Sequence, residues 1–325
     1  MLHFKNLNRS RTERKLAQFM VLMLVWAMGS NKANAQGCSD AGVCSINRSN
    51  LAQNSDSLKN KIGVSFSYAI GEQGAKFFIP QLEPQIRISD RSMIQIKLPF
   101  MFIKSPIANH SGLGDVLLNY SIELDSFLNQ RIGFSIGTRI ASGTASLKNN
   151  SIPMPMAVQL GLGSTDIILG VSIQFKKGFS AALGFQHPVF NQNQNGFDSI
   201  AFKKLESTQN LASSDNFFIS SNLVRKGDLM LRLDKIFVMP KLEINVGLLP
   251  IYHLGNDEVL LSKSVVQAIE GSKGLTLNAN AGLRYKLNHQ FEISVLGASP
   301  LITRKSRPDG LTRSLIIFSG LYYKF

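Results

Sequence analysis

From Lys61 onward, hydrophobic residues fall on every second position in short runs broken by turn residues. Period two is the spacing of a β-strand with one apolar face, because successive side chains point to opposite sides of the pleat. The apolar sets begin with Ile62, Val64, Phe66 and Tyr68, then Ile86 and Ile88, then Ile94, Ile96, Leu98, Phe100 and Phe102. Val116 to Leu124 and Ile132 to Ile140 follow at alternate positions, then Ile167 to Phe175, Phe179 to Phe185 and Leu229 to Phe237. Leu242 to Leu248, Leu275 to Tyr285, Phe291 to Val295 and Leu315 to Phe325 complete the series. These make about twelve strands, near the roughly 9 to 11 residues with which a tilted strand crosses a bilayer.

The pattern predicts an all-β, antiparallel transmembrane barrel over 61–325. A soluble β-sandwich alternates in the same way, but some 260 residues would then need one very large core. The connections support the barrel, since short turns on one side must alternate with long loops on the other. With Phe325 placed in the periplasm, 301–312, 254–273, 191–226, 142–165 and 104–113 are the long outer connections. Asn288-His289, Val238 to Pro240, Lys176 to Gly178, Asp125 to Asn129 and Ser89-Asp90 are the short inner ones. Met156 to Leu162 and Phe217 to Val224 also have strand character, and fourteen strands is the alternative count. Here they are read as strand extensions or loop hairpins above the membrane. Pro84, Pro99, Pro188 and Pro250 lack a donor inside or near strands and predict bulges or strand ends.

The opposite face of the same strands collects charge. Alternation sends Glu83, Arg87, Lys97, Glu123, Arg139, Arg232, Asp234, Glu243, Arg284, Lys286 and Glu292 inward. A ring of one sign would argue ion selectivity, whereas mixed signs argue cross-pairing. Twelve strands enclose more than eight and far less than sixteen, so a wide open pore is not expected.

The first 35 residues carry a different pattern. Lys5, Arg9, Arg11, Arg14 and Lys15 precede the 13 apolar-rich residues Leu16 to Met28 and the Ala33-Asn34-Ala35 site, as in a secretory signal peptide. Residues 36–60 are polar and aperiodic, a periplasmic lead-in. The two cysteines, Cys38 and Cys44, predict a small disulfide loop in an oxidising compartment, with lipidation of Cys38 as the alternative. Of 35 basic and 21 acidic residues, six and one fall in 1–35, leaving 29 against 20. Without a basic stripe or motif this scattered excess does not indicate nucleic acid; it suits lipopolysaccharide or other anions outside the cell.

The last strand, Leu315 to Phe325, ends on an aromatic residue with apolar residues at alternate positions before it. It resembles the assembly signal of bacterial outer-membrane β-barrels. That resemblance implies an outer-membrane location, a non-enzymatic default, lipid and lipopolysaccharide as surroundings, and recognition by the barrel-assembly machinery. Gly112-Leu113-Gly114-Asp115, with Leu162-Gly163-Ser164-Thr165-Asp166 entering a later strand, resembles the barrels of the MetA-pathway of phenol degradation family. This second resemblance implies a channel-like outer-membrane protein passing small, often hydrophobic solutes, and a monomer is the expected state. A closed barrel acting through its surface loops is the alternative. Read as residues, both motifs are turn chemistry, and Asp115 and Asp166 cap turns or face inward.

Phe190, Phe197, Phe202, Phe217 and Phe218 punctuate the polar stretch around 191–226. An interfacial girdle with ordinary loop packing is the simplest reading, with an inward plug or a solute contact as alternatives. Glu258 to Ile269 has the spacing of an amphipathic helical turn. His187 lies on the apolar face while Ser172 and Ser180 project inward, and no G-x-S-x-G is present, so a surface hydrolase is not supported. His110, His253 and His289 are isolated, and neither a metal nor a cofactor is expected.

Overall fold

The computed structural model describes residues 60–125, 130–198, 202–203, 217–262, 265–311 and 313–325. The expected signal peptide, the segment before Asn60, and Cys38 and Cys44 lie outside the described residues. Among the described residues there are seventeen strands: β1 (Lys61–Gly71), β2 (Lys76–Ser89), β3 (Ser92–Lys104), β4 (Asn109–Leu113), β5 (Val116–Asp125) and β6 (Arg131–Ile140). The short β7 (Lys148–Asn149) and β8 (Ile152–Pro153) precede β9 (Ser164–Gln174), β10 (Phe179–Asn191), β11 (Asp228–Val238) and β12 (Leu242–His253). Next come β13 (Glu258–Ser262), β14 (Val265–Ala268), β15 (Gly274–Lys286), β16 (Phe291–Ile302) and β17 (Arg313–Lys324).

The main sheet runs β2-β1-β17-β16-β15-β12-β11-β10-β9-β6-β5-β3, and pairing of β2 with β3 closes the ring. β4 sits on the same strand position as β5, because both pair with β3, so the barrel has twelve positions. Every neighbour is antiparallel and the first and last strands meet, Ile62 facing Tyr323 and Ile70 facing Leu315. Closure leaves no unpaired edge, which hydrocarbon requires because it cannot hydrogen-bond a free N–H or C=O.

The faces divide as the alternation predicts. In β1, Val64 is 46% exposed and Ser65 0%; in β11, Leu233 is 44% exposed and Arg232 4%. Most large apolar wall residues therefore face out and most polar ones face in, the reverse of a soluble domain, and the apolar band far exceeds the patch a water-soluble surface tolerates. Aromatics crowd its two borders. Phe291, Tyr323 and Phe325 pack ring against ring in series at the end bearing short turns, with centroids 5.1 and 5.9 Å apart. Phe66, Phe78, Phe102 and Phe100 form a similar row toward the other end.

Four local expectations are corrected. Residues 109–113 are strand, not loop: β4 extends the hairpin from β3, and the break falls at Gly114-Asp115, where Gly114 N–H donates to the Pro99 carbonyl. Glu258 to Ala268 is the hairpin β13–β14 rather than a helical turn; its β-branched residues suit a pleat. Met156–Val158 is one 3-10 turn rather than a strand extension, and Met156 to Leu162 is largely buried, as are Phe217, Ser220 and Leu223. Of the prolines, Pro188 marks a register shift, whereas Pro84 and Pro250 sit in unshifted ladders.

Candidate functional site

The barrel interior is layered along its axis. At the end bearing short turns the wall side chains are charged and paired. Arg284 donates to Glu243 at 3.3 Å and lies 3.1 Å from Glu292, Lys324 reaches Glu292 at 2.6 Å, and Lys286 reaches Glu243 at 3.9 Å. Arg232 donates to Asp234 at 2.5 Å. Glu83 accepts from Ser65 at 2.5 Å and from Tyr322 at 3.2 Å, with Lys97 at 3.9 Å. Arg87 sits at the rim and pairs with Asp90 of the β2–β3 turn, and Glu123 is half-buried near the same rim. Cross-strand register explains the grouping: Glu243 faces Arg284, and Lys286 faces Glu292.

One to four residues in from the opposite strand ends, Leu117, Ile168, Met230, Leu249, Ile251 and Ala298 turn inward from five strands and form one apolar cluster. It narrows the lumen just beneath the mouth.

The mouth is filled by the protein's own long connections. The carboxylate of Asp115 stands in the gap between β4 and β5. It accepts the N–H of Gly143 at 3.0 Å and of Leu162 at 2.9 Å, drawing both ends of the 140–163 connection onto the wall. The two glycine motifs thus meet in space. Gly163, at φ +66°, also lets the chain pass close to Asn193, whose Cα would lie 2.8 Å from an added Cβ.

Asn191, Asn193 and Asn195 form a ladder of Asx turns, each side-chain oxygen accepting the N–H two residues on. Their amide groups donate to Leu223, to Leu162, and to Ala145 and Met154, stapling 140–163 to the 191–224 segment. The ladder delivers Phe197 into an apolar cluster with Phe202 and Phe217. This cluster packs on inward residues of β1 to β3 and β17, among them Ala69, Phe77, Ile103 and Ile316. Three of the five phenylalanines therefore plug the mouth instead of forming a girdle; Phe190 remains 67% exposed, and Phe218 lies 5.7 Å from the Arg307 guanidinium.

Opposite the apolar cluster lies a buried ionic network. Asp166 accepts from Arg139, from Gln186 at 2.6 Å, from Ser164 at 2.8 Å and from Arg225 at 3.3 Å. Arg225 also donates to Asp228 at 3.2 Å and approaches Asp309 at 3.8 Å. Arg304 donates to Asp309 at 2.8 Å, and His253 lies between Asp228 at 2.7 Å and Asp257 at 2.8 Å. Arg139, Asp166, Asp228 and His253 come from strand ends; Arg225, Asp257, Arg304 and Asp309 come from connections. The network therefore joins wall to loop. Burial alone would raise the Asp309 carboxyl, but Arg304 first, then Arg225 and His253, hold it well below the usual range. Burial opposes the charge of Arg225 too, and Asp166, Asp228 and Asp309 overcome it.

Between loops and wall remains a cavity of about 90 Å³ bordered by Met101, Leu117, Leu160 and Leu311, with Lys97, Asp115 and Arg139 at its polar side. Among the described residues no cluster of His, Cys, Asp and Glu is arranged to hold a metal. Ser172 and Ser180 face the lumen while His187 lies outside, its ring 6.0 Å from that of Phe185.

Alternation sorts the wall charges by face, whereas His253, isolated by its spacing from the other histidines, gains its partners only in the fold. The clue was short-range: Asp257 follows at i+4. Arg225, Asp228, Arg304 and Asp309 carry no periodic signal, since they fall at strand ends or in connections.

Ring, belt and filled mouth define the class: a membrane-spanning twelve-stranded β-barrel. The fold is similar to that of an outer-membrane channel from Pseudomonas putida F1, with a TM-score of 0.57 and 13% identity over 84% of this chain and 100% of that one. More distant in shape are the NanC porin, with TM-score 0.47 and 9% identity over 81% of this chain and 100% of that one, and the KdgM porin, with 0.42 and 10% over 82% and 99%. No protein-family model matches the chain, and no curated protein matches it in sequence.

Proposed function

We propose that this protein is a monomeric outer-membrane channel for small solutes whose extracellular mouth is closed by its own connections. The observation that carries this reading is the kind of closure. The mouth is stopped by loop segments held through polar contacts to Asp115, Asp166 and the asparagine ladder, so it can open while the twelve-stranded ring stays intact. Below it, the wall charges are mutually paired and leave no single-sign ring to select ions. The apolar cluster around Ile168 and Met230 favours solutes with some hydrophobic surface. This agrees with what the Gly112 to Asp115 and Leu162 to Asp166 motifs suggest through the MetA-pathway resemblance. The aromatic final strand supports delivery by the barrel-assembly machinery, and the outer belt supports lipid and lipopolysaccharide as surroundings.

One observation favours a second reading, a closed barrel acting through its surface. The β13–β14 hairpin shows Leu261, Val265 and Val266 at 45, 50 and 60% exposure. Liposome swelling across sugars, aromatic alcohols and fatty acids separates the two. A channel admits at least one class in proportion to protein added; a closed barrel admits none.

A further inference from the structure

We infer that the mouth is held shut by a proton-dependent latch centred on His253, and that removal of one proton from its ring releases the loops. The inference rests on the channel reading and names how that channel is regulated.

His253, the last residue of β12, is fully buried. Its Nδ1 lies 2.7 Å from an oxygen of Asp228 and its Nε2 lies 2.8 Å from an oxygen of Asp257. An ionised carboxylate accepts hydrogen bonds and donates none, so both contacts are bonds only when each ring nitrogen carries a hydrogen. With both carboxylates ionised, the closed arrangement therefore requires the imidazolium. The neutral ring keeps one bond and sets a lone pair against the other carboxylate.

Charge counting leads to the same place. Around the ring stand Asp228 from β11, Asp257 from the connection after β12, and Asp309 with Arg304 from the connection before β17. Asp166 from β9, Arg139 from β6 and Arg225 from the segment before β11 complete the network. Asp115 and Arg313 border it through the adjoining cavity. Four carboxylates face three arginines, and the imidazolium makes the fourth cation. Arginine does not titrate in this range, whereas histidine is the side chain whose ordinary titration falls near neutrality. A neutral His253 leaves one buried negative charge uncompensated, an expensive state in a low-dielectric site.

The contacts show what that charge would move. Oδ1 of Asp257 also accepts the N–H of Lys226, and the Asp257 N–H donates to Ser272 Oγ. Arg304 donates to the Ser272 carbonyl and to Asp309. Asp257 is therefore the point at which the 217–227, 254–274 and 303–311 connections are tied to the wall. His253 is the wall residue that holds it.

The test is planar-bilayer recording of the full folded protein, with open fraction measured from about pH 5 to about pH 9. The latch predicts a mouth closed in acid and an open fraction that rises about tenfold or more on the alkaline side. In His253→Asn, which holds no switchable charge, the open fraction is high and flat across that range. Asp257→Asn keeps the ring but weakens its grip, and moves the wild-type midpoint toward lower pH. Heat-modifiable mobility verifies that each variant is a folded barrel; should His253→Asn fail to fold, the Asp257→Asn shift decides. A wild-type current that does not respond to pH, or a pH response that survives in His253→Asn, would overturn the latch. If no protein conducts at any pH, Arg225→Ala included, the channel reading falls and the latch with it.

Discussion

The carboxylate of Asp115 accepts the backbone N–H of Leu162 at 2.9 Å, across 47 residues of chain. One wall residue thereby holds the far end of the connection that fills the mouth, and its second oxygen holds the near end at Gly143.

Replacing Asp115 by Ala removes two acceptors and leaves two N–H groups to find water. Each lost bond is worth about 0.5–1.5 kcal/mol. Segment 140–163 should lose hydrogen-exchange protection while the strands keep theirs. Uniform loss of protection across β3 to β6 would instead make Asp115 a determinant of the barrel wall.

Arg225 is the connector between Asp166, Asp228 and Asp309. Truncation to Ala strands these carboxylates in a buried site, at a cost of about 3–5 kcal/mol. Thermal unfolding in detergent should show an early transition confined to the mouth. A milder effect is expected from Asp166→Asn, which keeps an acceptor for Arg139. Equal effects of the two substitutions would contradict the network.

The twelve strands and their faces were legible because a barrel wall is a local pattern. Val64 against Ser65, or Leu233 against Arg232, can be sorted by period two alone. The mouth was not legible for the opposite reason. Asn191, Asn193 and Asn195 look like loop polarity until the chain brings Leu162, Ala145 and Leu223 to their amides. The same composition suits a solvated loop or a buried staple, and only tertiary contact distinguishes them. β13–β14 departs from the helical expectation because Val259, Val265 and Val266 fit helical and strand periods equally over so short a run. His253 and Asp257 did carry a signal at i+4; its partner Asp228, 25 residues earlier on the next strand, did not.

The lowered carboxyl of Asp309 sets an acid limit. A group whose folded pKa is depressed stabilises the fold above its unfolded value, about 3.9, and that contribution fades as pH falls toward the folded value. Its link to Arg304 should therefore survive well into the acid range. Pepsin at about pH 3 should leave 303–311 uncut in the wild type and cut it in Asp309→Asn. Cleavage of both would refute the assignment.

Leu233 faces outward among Ala181 and Leu248 on neighbouring strands. Leu233→Arg should cost about 2–4 kcal/mol in lipid-vesicle unfolding if the position lies near the bilayer midplane. The inward Ser294→Ala should change stability far less. The reverse order would mean that the apolar band does not face lipid.

If an intact ring is closed by removable loops, single-channel recording of the Asp115→Ala Arg225→Ala double variant beside the wild type separates the two. The wild type should conduct in brief openings. The double variant should reach the same open level for a much larger share of the time, with heat-modifiable mobility unchanged. Electrical silence in both, with both folded as barrels, would contradict it.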